Sequence, residues 1–356
     1  MSTFNGDKIK IEIFGQSHSN QIGVNCFGFP KMKIDKVLLK EFMDRRKPSK
    51  DNFSTKRVED DLVVFTDGVE ENGITGGCFS AIIQNTNQKS KDYNSIYAKP
   101  RPSHADYTSF VKTGNLDFSG GGKFSGRMTA PLCIAGGISK QYLNSLNVHV
   151  YSYMSSIGEV EAVSYKNQEI TKSMLNKING KPFLFGEREM LEEIEKARKT
   201  GDSVGGVVEC VVFGLKAGVG DAIFDGIESK VASLIYSIPA VKGVEFGGGF
   251  SLSKMQGSIA NDELFYTENK EVETYTNNNG GITGGISNGM PLLIRVAFKP
   301  TPSISKKQRT IDLVNKTNTT IKIEGRHDSC VAVRGRVAVE SAVCLALMDL
   351  ILKEGY

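Results

Sequence analysis

His104 lies in a segment whose residue types could transfer a proton. Residues 101–107 read Arg-Pro-Ser-His-Ala-Asp-Tyr, and residues 120–127 read Gly-Gly-Gly-Lys-Phe-Ser-Gly-Arg. Glycine has no Cβ, so the N–H groups of a glycine run can approach an anion closely. The imidazole can exchange a proton near neutral pH, and the lysine and arginine add positive charge. The two segments together predict proton transfer beside a bound phosphate.

A second histidine, His18, follows the first predicted strand. Residues 15–18 read Gly-Gln-Ser-His, which places Ser17 beside His18 in a turn. We interpret the pair as a proton-transfer site. The alternative is a serine nucleophile, but adjacent side chains seldom pair as nucleophile and base, and no G-x-S-x-G motif is present. His149 lies in the apolar alternation 148–151 and is predicted to be structural.

Three further segments carry cations or clustered polar groups. Arg45, Arg46 and Lys47 follow a predicted helix, where they either stabilise its C-terminal end or bind a phosphate or carboxylate. The segment 299–303, Lys-Pro-Thr-Pro-Ser, follows a predicted strand. The segment 325–328, Gly-Arg-His-Asp, places a cation, an imidazole and a carboxylate in one turn. A surface ion pair is the alternative interpretation of that last segment.

Composition limits the class of protein. The chain has 356 residues, of which 39% are hydrophobic and 24% charged, with a net charge of +4; these values are typical of soluble globular proteins. No aromatic residues interleave with the cations, so we predict no nucleic-acid binding. The six cysteines and four histidines lack the spacing of a metal site or a disulfide framework. We therefore expect no bound metal, no membrane span and a cytoplasmic protein with free thiols.

Hydrophobic periodicity predicts interspersed strands and helices joined by glycine turns. Strands are predicted at 9–13, 62–65, 78–83, 204–213 and 292–298. Helices are predicted after an Asp35 cap until Pro48, and at 128–143, 187–199, 224–238 and 331–352, the last with an optional strand at its start. This pattern favours a single α+β domain, residues 1–356, with mostly antiparallel sheets covered by helices. The similar segments 72–77 and 280–285 hint at an internal duplication.

Taken in order, these motifs resemble the chorismate synthase family. The similarity extends over about residues 7–353 and includes the segments above together with 85–93, 201–206, 238–245 and 280–289. Each motif alone is weakly specific, but ten motifs in a common order make a chance match improbable. The resemblance implies a helix–sheet–sheet–helix sandwich that assembles as a homotetramer.

The resemblance also implies a reaction. The family removes phosphate and a C6 hydrogen from 5-enolpyruvylshikimate-3-phosphate in an anti-1,4-elimination that yields chorismate, the last step of the shikimate pathway toward the aromatic amino acids. The reaction needs reduced FMN, although no net redox change occurs. The length resembles that of the monofunctional bacterial type, which implies a separate flavin-reducing system. The resemblance also associates NADP with the family.

Individual roles follow from the same resemblance. His18 is similar to the histidine that protonates the departing phosphate, and His104 to the one that keeps the reduced flavin monoanionic. Asp328 resembles the carboxylate that helps to take the C6 proton, and Ser17 and Ser125 resemble orienting hydroxyls. The residues implied in FMN binding are Lys123, Phe124, Ser125, Pro239, Ala240, Gly284, Lys299, Pro300, Thr301, Pro302, Ser303 and Arg326. Those implied in binding substrate anions are Arg46, Arg101 and Arg127.

The chain departs from the family pattern at several of these positions. Gln16 and Ser19 stand where the family usually has glutamate and glycine, and Asn52 stands where a further arginine is common. Lys123 and Phe124 replace an arginine and a serine of the glycine loop. Lysine keeps the charge of arginine but loses its bidentate geometry. The alternative hypothesis is therefore a divergent homologue that binds flavin or a phosphorylated ligand without turnover.

Overall fold

Helices and antiparallel strands are interspersed along the described part of the chain. The computed structural model describes residues 1–47, 60–71, 73–85, 97–162, 170–177, 180–323 and 328–355. The α-helices in these ranges are α1 (Lys36–Asp44), α2 (Asp106–Thr113), α3 (Thr129–Ser145), α4 (Lys172–Lys177), α5 (Glu187–Lys199), α6 (Ile227–Ile235), α7 (Gly257–Ala260) and α8 (Ala332–Glu354). The strands are β1 (Ser2–Asn5), β2 (Lys10–Phe14), β3 (Gln21–Phe29), β4 (Met32–Lys33), β5 (Val63–Asp67), β6 (Val69–Glu70), β7 (Gly73–Ile74), β8 (Gly77–Gln84), β9 (His149–Ile157), β10 (Val160–Glu161), β11 (Gly206–Phe213), β12 (Val241–Phe246), β13 (Leu264–Tyr266), β14 (Val272–Thr274), β15 (Ile282–Thr283), β16 (Ile286–Ser287), β17 (Leu292–Phe298), β18 (Gln308–Asp312) and β19 (Thr317–Ile321).

Two five-stranded sheets form the framework. The first has the strand order β1–β2–β3–β8–β5 and the second the order β10–β9–β11–β17–β12. Every pair of neighbouring strands in both sheets is antiparallel. The predicted α+β class with mostly antiparallel sheets is therefore confirmed.

Helices α3 and α8 lie between the two sheets. α3 packs on α8 and on strands of the first sheet, whereas α8 packs on β9 and β11 of the second. The two helices approach closely at Gly136, where a Cβ would stand 2.2 Å from the Cβ of Ser341. α8 is buried on all sides between Arg336 and Ile351, so other elements of the fold enclose it. The layer order is thus sheet–helix–helix–sheet, and the predicted helix–sheet–sheet–helix order is wrong.

The two halves of the chain repeat one arrangement of elements. In the first half β3, α1, β5 and β8 are followed by α3, and in the second β11, α6, β12 and β17 are followed by α8. The strands pair as β3–β8–β5 and as β11–β17–β12, so the last strand of each set is central. α1 packs on α3 just as α6 packs on α8. The similar segments 72–77 and 280–285 lie in the equivalent connections, which supports the duplication that the sequence hinted at.

Most predicted elements are confirmed with small shifts at their ends. α5 and β17 have the predicted bounds. Asp35 caps α1 by accepting hydrogen bonds from the backbone N–H groups of Val37 and Leu38. Between residue 328 and the start of α8 the described backbone contains no strand, and Pro48 lies outside the described residues. Among the described helices, none combines the length and the apolar character needed to cross a membrane.

Candidate active site

A cavity of about 780 Å³ opens where the two halves of the chain meet. Residues at the N-terminal ends of α3 and α8 and at the C-terminal ends of α1 and α6 line it. Helix N-termini and cationic side chains both attract anions. Two aspartates, Asp61 and Asp328, are outnumbered in its described lining by eight cations: Arg46, Lys47, Arg101, Lys123, Arg127, Lys242, Lys299 and Arg334. The cavity therefore suits a ligand that carries several negative charges.

The imidazole of His104 is held by a buried carboxylate. Its Nδ1 lies 2.5 Å from Oδ1 of Asp106. Arg101 donates to the same carboxylate through Nε at 2.7 Å and through Nη2 at 2.8 Å. Burial opposes the ionisation of Asp106, but hydrogen bonds and charges from Arg101 and His104 outweigh it and lower the pKa of Asp106 to about 2. Because the ionised Asp106 can only accept, Nδ1 of His104 carries a proton and Nε2 is left for a ligand.

Nη2 of Arg101 also lies 3.2 Å from Nδ1 of His104. A guanidinium only donates, and Nδ1 is already donating to Asp106. We therefore regard this contact as proximity within the cluster and not as a hydrogen bond.

We expect Asp106→Asn to remove an acid-sensitive contribution to stability. The folded-state pKa of Asp106 is lowered from an ordinary value of 3.8, so its carboxylate stabilises the fold above pH 3.8 and loses this effect as the pH falls to about 2. Urea titrations should show a less stable variant at neutral pH and a smaller difference from the wild type below pH 3.8. Asp60→Asn is the control, since the side chain of Asp60 is 96% exposed. A difference that does not change with pH would contradict this linkage.

The glycine loop connects the surroundings of both histidines. Gly121 and Gly122 adopt left-handed φ values of 74° and 51°. A Cβ on Gly121 would stand 3.4 Å from Nε2 of His104. The carbonyl of Gly122 accepts a hydrogen bond from the N–H of Ser17 at 3.2 Å, and the Ser17 hydroxyl lies 2.9 Å from Nδ1 of His18. The loop thus fixes the turn that carries His18 relative to His104.

Two arginines of the cavity share one buried aspartate, Asp61. One of its oxygens accepts a hydrogen bond from Nη1 of Arg46 at 3.0 Å, and the other accepts one from Nη1 of Arg127. Arg46 also donates to the Thr129 hydroxyl at 2.9 Å, and burial lowers the pKa of Arg46. The Ser125 hydroxyl accepts a hydrogen bond from the N–H of Arg127 at 3.2 Å. Ser125 therefore orders the turn that leads into α3.

Asp328 lies just before α8 and is paired with an arginine of that helix. Its Oδ2 lies 2.8 Å from Nη1 of Arg334. The Nε of Arg334 donates to the backbone carbonyl of Arg46 at 2.8 Å. These contacts tie the beginning of α8 to the end of α1. Arg326, predicted from the same segment, lies outside the described residues.

Lys299 enters the cavity directly after β17. Its Nζ donates to the carbonyl of Ser103 at 2.5 Å, and its N–H donates to the carbonyl of Ala240 at 3.0 Å. Ser103 and Ala240 have φ values of 58° and 74°, a conformation that is strained for residues other than glycine. Burial and the nearby charge of Lys242 lower the pKa of Lys299. Two cations and two strained turns thus meet at this end of the cavity.

Most of the predicted site residues line this cavity. They are His104, Asp328, Ser125, Lys123, Phe124, Pro239, Ala240, Lys299, Thr301, Pro302, Ser303, Arg46, Arg101 and Arg127. Ser17 and His18 are adjacent to the glycine loop but do not line the cavity. Pro300 does not line the cavity either and packs beside Gly205. Gly284 lies in the β15–β16 turn beside the first residue of α6. The C-terminal end of α6 reaches the cavity, and a helix of nine residues separates its two ends by about 13 Å. Gly284, at the N-terminal end, therefore does not line the cavity.

Sequence reasoning missed two charged residues of the cavity, Asp61 and Arg334. Arg334 and Arg336 interrupt the apolar run at the start of α8, and that interruption was a usable signal. Asp61 ends a short acidic run, 59–61, that is indistinguishable from an exposed loop in the sequence. The contact between the Ser17 hydroxyl and the His18 ring was expected for the predicted pair, and it forms because the turn directs the two adjacent side chains to one side.

Comparisons with known proteins identify the family of this chain. The family profile described as chorismate synthase matches residues 9–352. Relatives named chorismate synthase occur in Dehalococcoides mccartyi strain BAV1 (40% identical over 359 residues; 100% of this chain, 98% of the relative), Methanocaldococcus jannaschii (40% over 369; 100% and 97%) and Thermococcus gammatolerans (42% over 355; 98% and 97%). A solved structure titled "Crystal Structure of Chorismate Synthase" has the same fold, with a TM-score of 0.75 and 24% identity over 98% of this chain and 93% of that one. The chain therefore belongs to the chorismate synthase family.

Proposed function

We propose that this chain eliminates phosphate from 5-enolpyruvylshikimate-3-phosphate to give chorismate, with reduced FMN required but not consumed. The observation that carries the proposal is the shared cavity, where an oriented imidazole and a carboxylate face a marked excess of cations. The substrate is a polyanion, and cations fixed in advance stabilise the charge on its departing phosphate. The activity would be that of a carbon–oxygen lyase.

The residues present fit a flavin mononucleotide. The cavity volume of about 780 Å³ is within the range of pockets that hold ligands of this size, about 300–1,000 Å³. Phe124 offers a partly exposed aromatic face, and the Thr301 hydroxyl is buried without a hydrogen-bond partner in the described structure. Lys299 and Lys242 supply charge for a phosphate. When bound, reduced flavin would supply the electron density that assists the departure of phosphate.

The residues proposed to hold the flavin belong to three segments that meet at the cavity. They are Lys123, Phe124 and Ser125 of the glycine loop, Pro239 and Ala240 before β12, and Lys299, Thr301, Pro302 and Ser303 after β17.

Arg46 and Arg127 are proposed to bind the anionic groups of the substrate. Arg46 lines the cavity, and its buried Nε is a donor without a hydrogen-bond partner among the described residues. Arg101 is more fully engaged, since two of its nitrogens bind Asp106. We therefore propose that Arg101 acts chiefly by holding Asp106, and through it His104, in place.

His18, His104 and Asp328 are proposed to control the protons. His18 would protonate the departing phosphate, with the Ser17 hydroxyl orienting its ring. His104 would hold a proton at Nε2 close to the flavin and thereby favour its monoanionic form. Asp328 would assist removal of the C6 proton, and its pairing with Arg334 fixes the direction of its carboxylate.

A homotetramer, a cytoplasmic location and a separate flavin-reducing system are part of the same proposal. Their support is membership of the family together with a length close to that of the relatives named above. Under this proposal the flavin is reduced by that separate system and arrives at the cavity already reduced.

An anaerobic assay tests the proposed reaction. The full chain is mixed with dithionite-reduced FMN and 5-enolpyruvylshikimate-3-phosphate, and chorismate absorbance and phosphate release are followed together. We expect catalytic turnover with reduced FMN and none with oxidised FMN, which is the control. Flavin binding without product would instead support a divergent homologue that binds flavin without turnover. Lys123 and Phe124, which replace the family's arginine and serine, favour this alternative: the Lys123 Nζ lies 5.4 Å from the centre of the Phe124 ring.

A further inference from the structure

Asp61 belongs to the cavity although none of the motifs discussed above contains it. It is 8% exposed, and each of its carboxylate oxygens accepts a hydrogen bond from a different arginine, Arg46 or Arg127. A buried carboxylate held by two guanidinium groups fixes both of them, because each loses the freedom to rotate away.

The backbone of Asp61 is strained. Its φ is 46°, in the left-handed region, which a residue with a Cβ adopts at a cost. Strain of this kind persists where the surrounding structure imposes it, and such positions cluster at functional sites. The conformation directs the carboxylate into the space between the two arginines at the point where the chain enters β5.

The contacts of Arg46 leave one donor of its guanidinium without a partner among the described residues. Nη1 donates to Asp61 and Nη2 donates to the Thr129 hydroxyl. Nε is buried and has no partner in the described part of the chain. The Arg334 side chain donates a hydrogen bond to the backbone carbonyl of Arg46. Arg46 is therefore fixed from three directions, with a donor remaining for an anion.

We propose that Asp61 is a positioning residue that orients Arg46 and Arg127 toward one anionic group of the substrate and moderates the positive charge of that subsite. The expected effect on turnover rests on the proposed elimination. The expected effect on phosphate affinity does not, because any dianion in the subsite would experience the negative charge of Asp61. Orienting the arginines favours turnover, and moderating their charge prevents the released phosphate from being held too tightly.

Asp61→Asn tests the inference, since asparagine tolerates the left-handed conformation and has nearly the same shape. It removes the charge and replaces one of the two acceptor oxygens by an NH2 donor. We expect kcat to fall by up to about 10²-fold, as small misplacements of binding groups do. We also expect inorganic phosphate to bind on the order of tenfold more tightly in titration calorimetry, because a nearby negative charge is lost. A kcat within twofold of the wild type, or phosphate affinity that is unchanged or weaker, would overturn the inference.

Matched variants separate this role from a structural one. Asp60→Asn makes the same charge change at the adjacent, 96% exposed side chain and should alter neither quantity. In the Arg127→Gln background, Asp61→Asn should lower kcat by less than it does in the wild type, because only the part of its effect that acts through Arg46 remains; full additivity would overturn the positioning role. If the wild type shows no elimination, the proposed reaction fails, while the phosphate titrations still decide whether Asp61 moderates the subsite.

Discussion

Replacing His104 by alanine is expected to lower kcat about 10²- to 10⁴-fold, the usual effect of removing a positioned acid–base group. The imidazole is held through Nδ1 by Asp106, and its Nε2 lies beside the glycine loop at Gly121. No other described side chain of the cavity is an imidazole; the remaining ionisable groups there are lysines, arginines, aspartates and Tyr236, none of which ordinarily exchanges a proton near neutral pH. Steady-state assays with reduced FMN would measure the loss.

Two other histidines, His18 and His149, serve as comparisons. His18→Ala is expected to give a loss of similar size, because His18 is proposed to protonate the phosphate. His149→Ala is the control: His149 begins β9 and does not line the cavity, so its kcat should stay within about twofold of the wild type. The variants should also bind FMN and melt close to the wild-type temperature. Near wild-type turnover in both His104→Ala and His18→Ala would refute the proposed proton roles.

Glu340→Gln is expected to destabilise the fold by about 3–5 kcal/mol at neutral pH, the cost of breaking a buried ion pair. Glu340 is fully buried in α8 and accepts hydrogen bonds from both Nη atoms of Arg45, at 2.9 and 2.6 Å. Lys140 and the Ser152 hydroxyl donate to it at 2.5 Å each. The carboxylate therefore joins α1, α3, α8 and β9. Glutamine keeps the shape but leaves two buried cations without their counter-charge, and urea denaturation would measure the difference.

The pH dependence of this difference has a definite sign. Burial works against ionisation, but the charges of Arg45 and Lys140 outweigh it and lower the pKa of Glu340 below its ordinary value of 4.5. The contribution to stability is therefore complete above pH 4.5 and is lost progressively as the pH falls below it. Glu192→Gln is the control, since its pair with Arg188 is exposed and is worth less than about 1 kcal/mol. A Glu340→Gln variant as stable as the wild type would contradict the ion-pair account.

The local elements of this protein could be predicted because their signals are local. The alternation in β2, the apolar run of β17 and the charged amphipathic pattern of α5 depend on a few neighbouring residues. The Asp35 cap depends on two N–H groups within three positions. For the same reason the segment containing His104 and the glycine loop could be recognised as chemically informative before any fold was known.

Long-range charge pairing was not predictable in this way. Arg45 and Arg46 are adjacent, yet one binds Glu340 in the interior and the other binds Asp61 in the cavity. Consecutive positions at a helix end point in different directions, and the partner that each one meets comes from a distant part of the chain. The absence of Gly284 from the cavity has the same origin.

The sequence by itself determined the family, the class of secondary structure and most of the residues that meet in the cavity. The tertiary structure alone decided the order of the layers, because enclosing α3 and α8 depends on how two apolar helices and two sheets bury their faces together. It also decided that Asp61 and Arg334 belong to the site. The pairing of buried charges depends on distances across the fold, and those distances exist only once the core has packed.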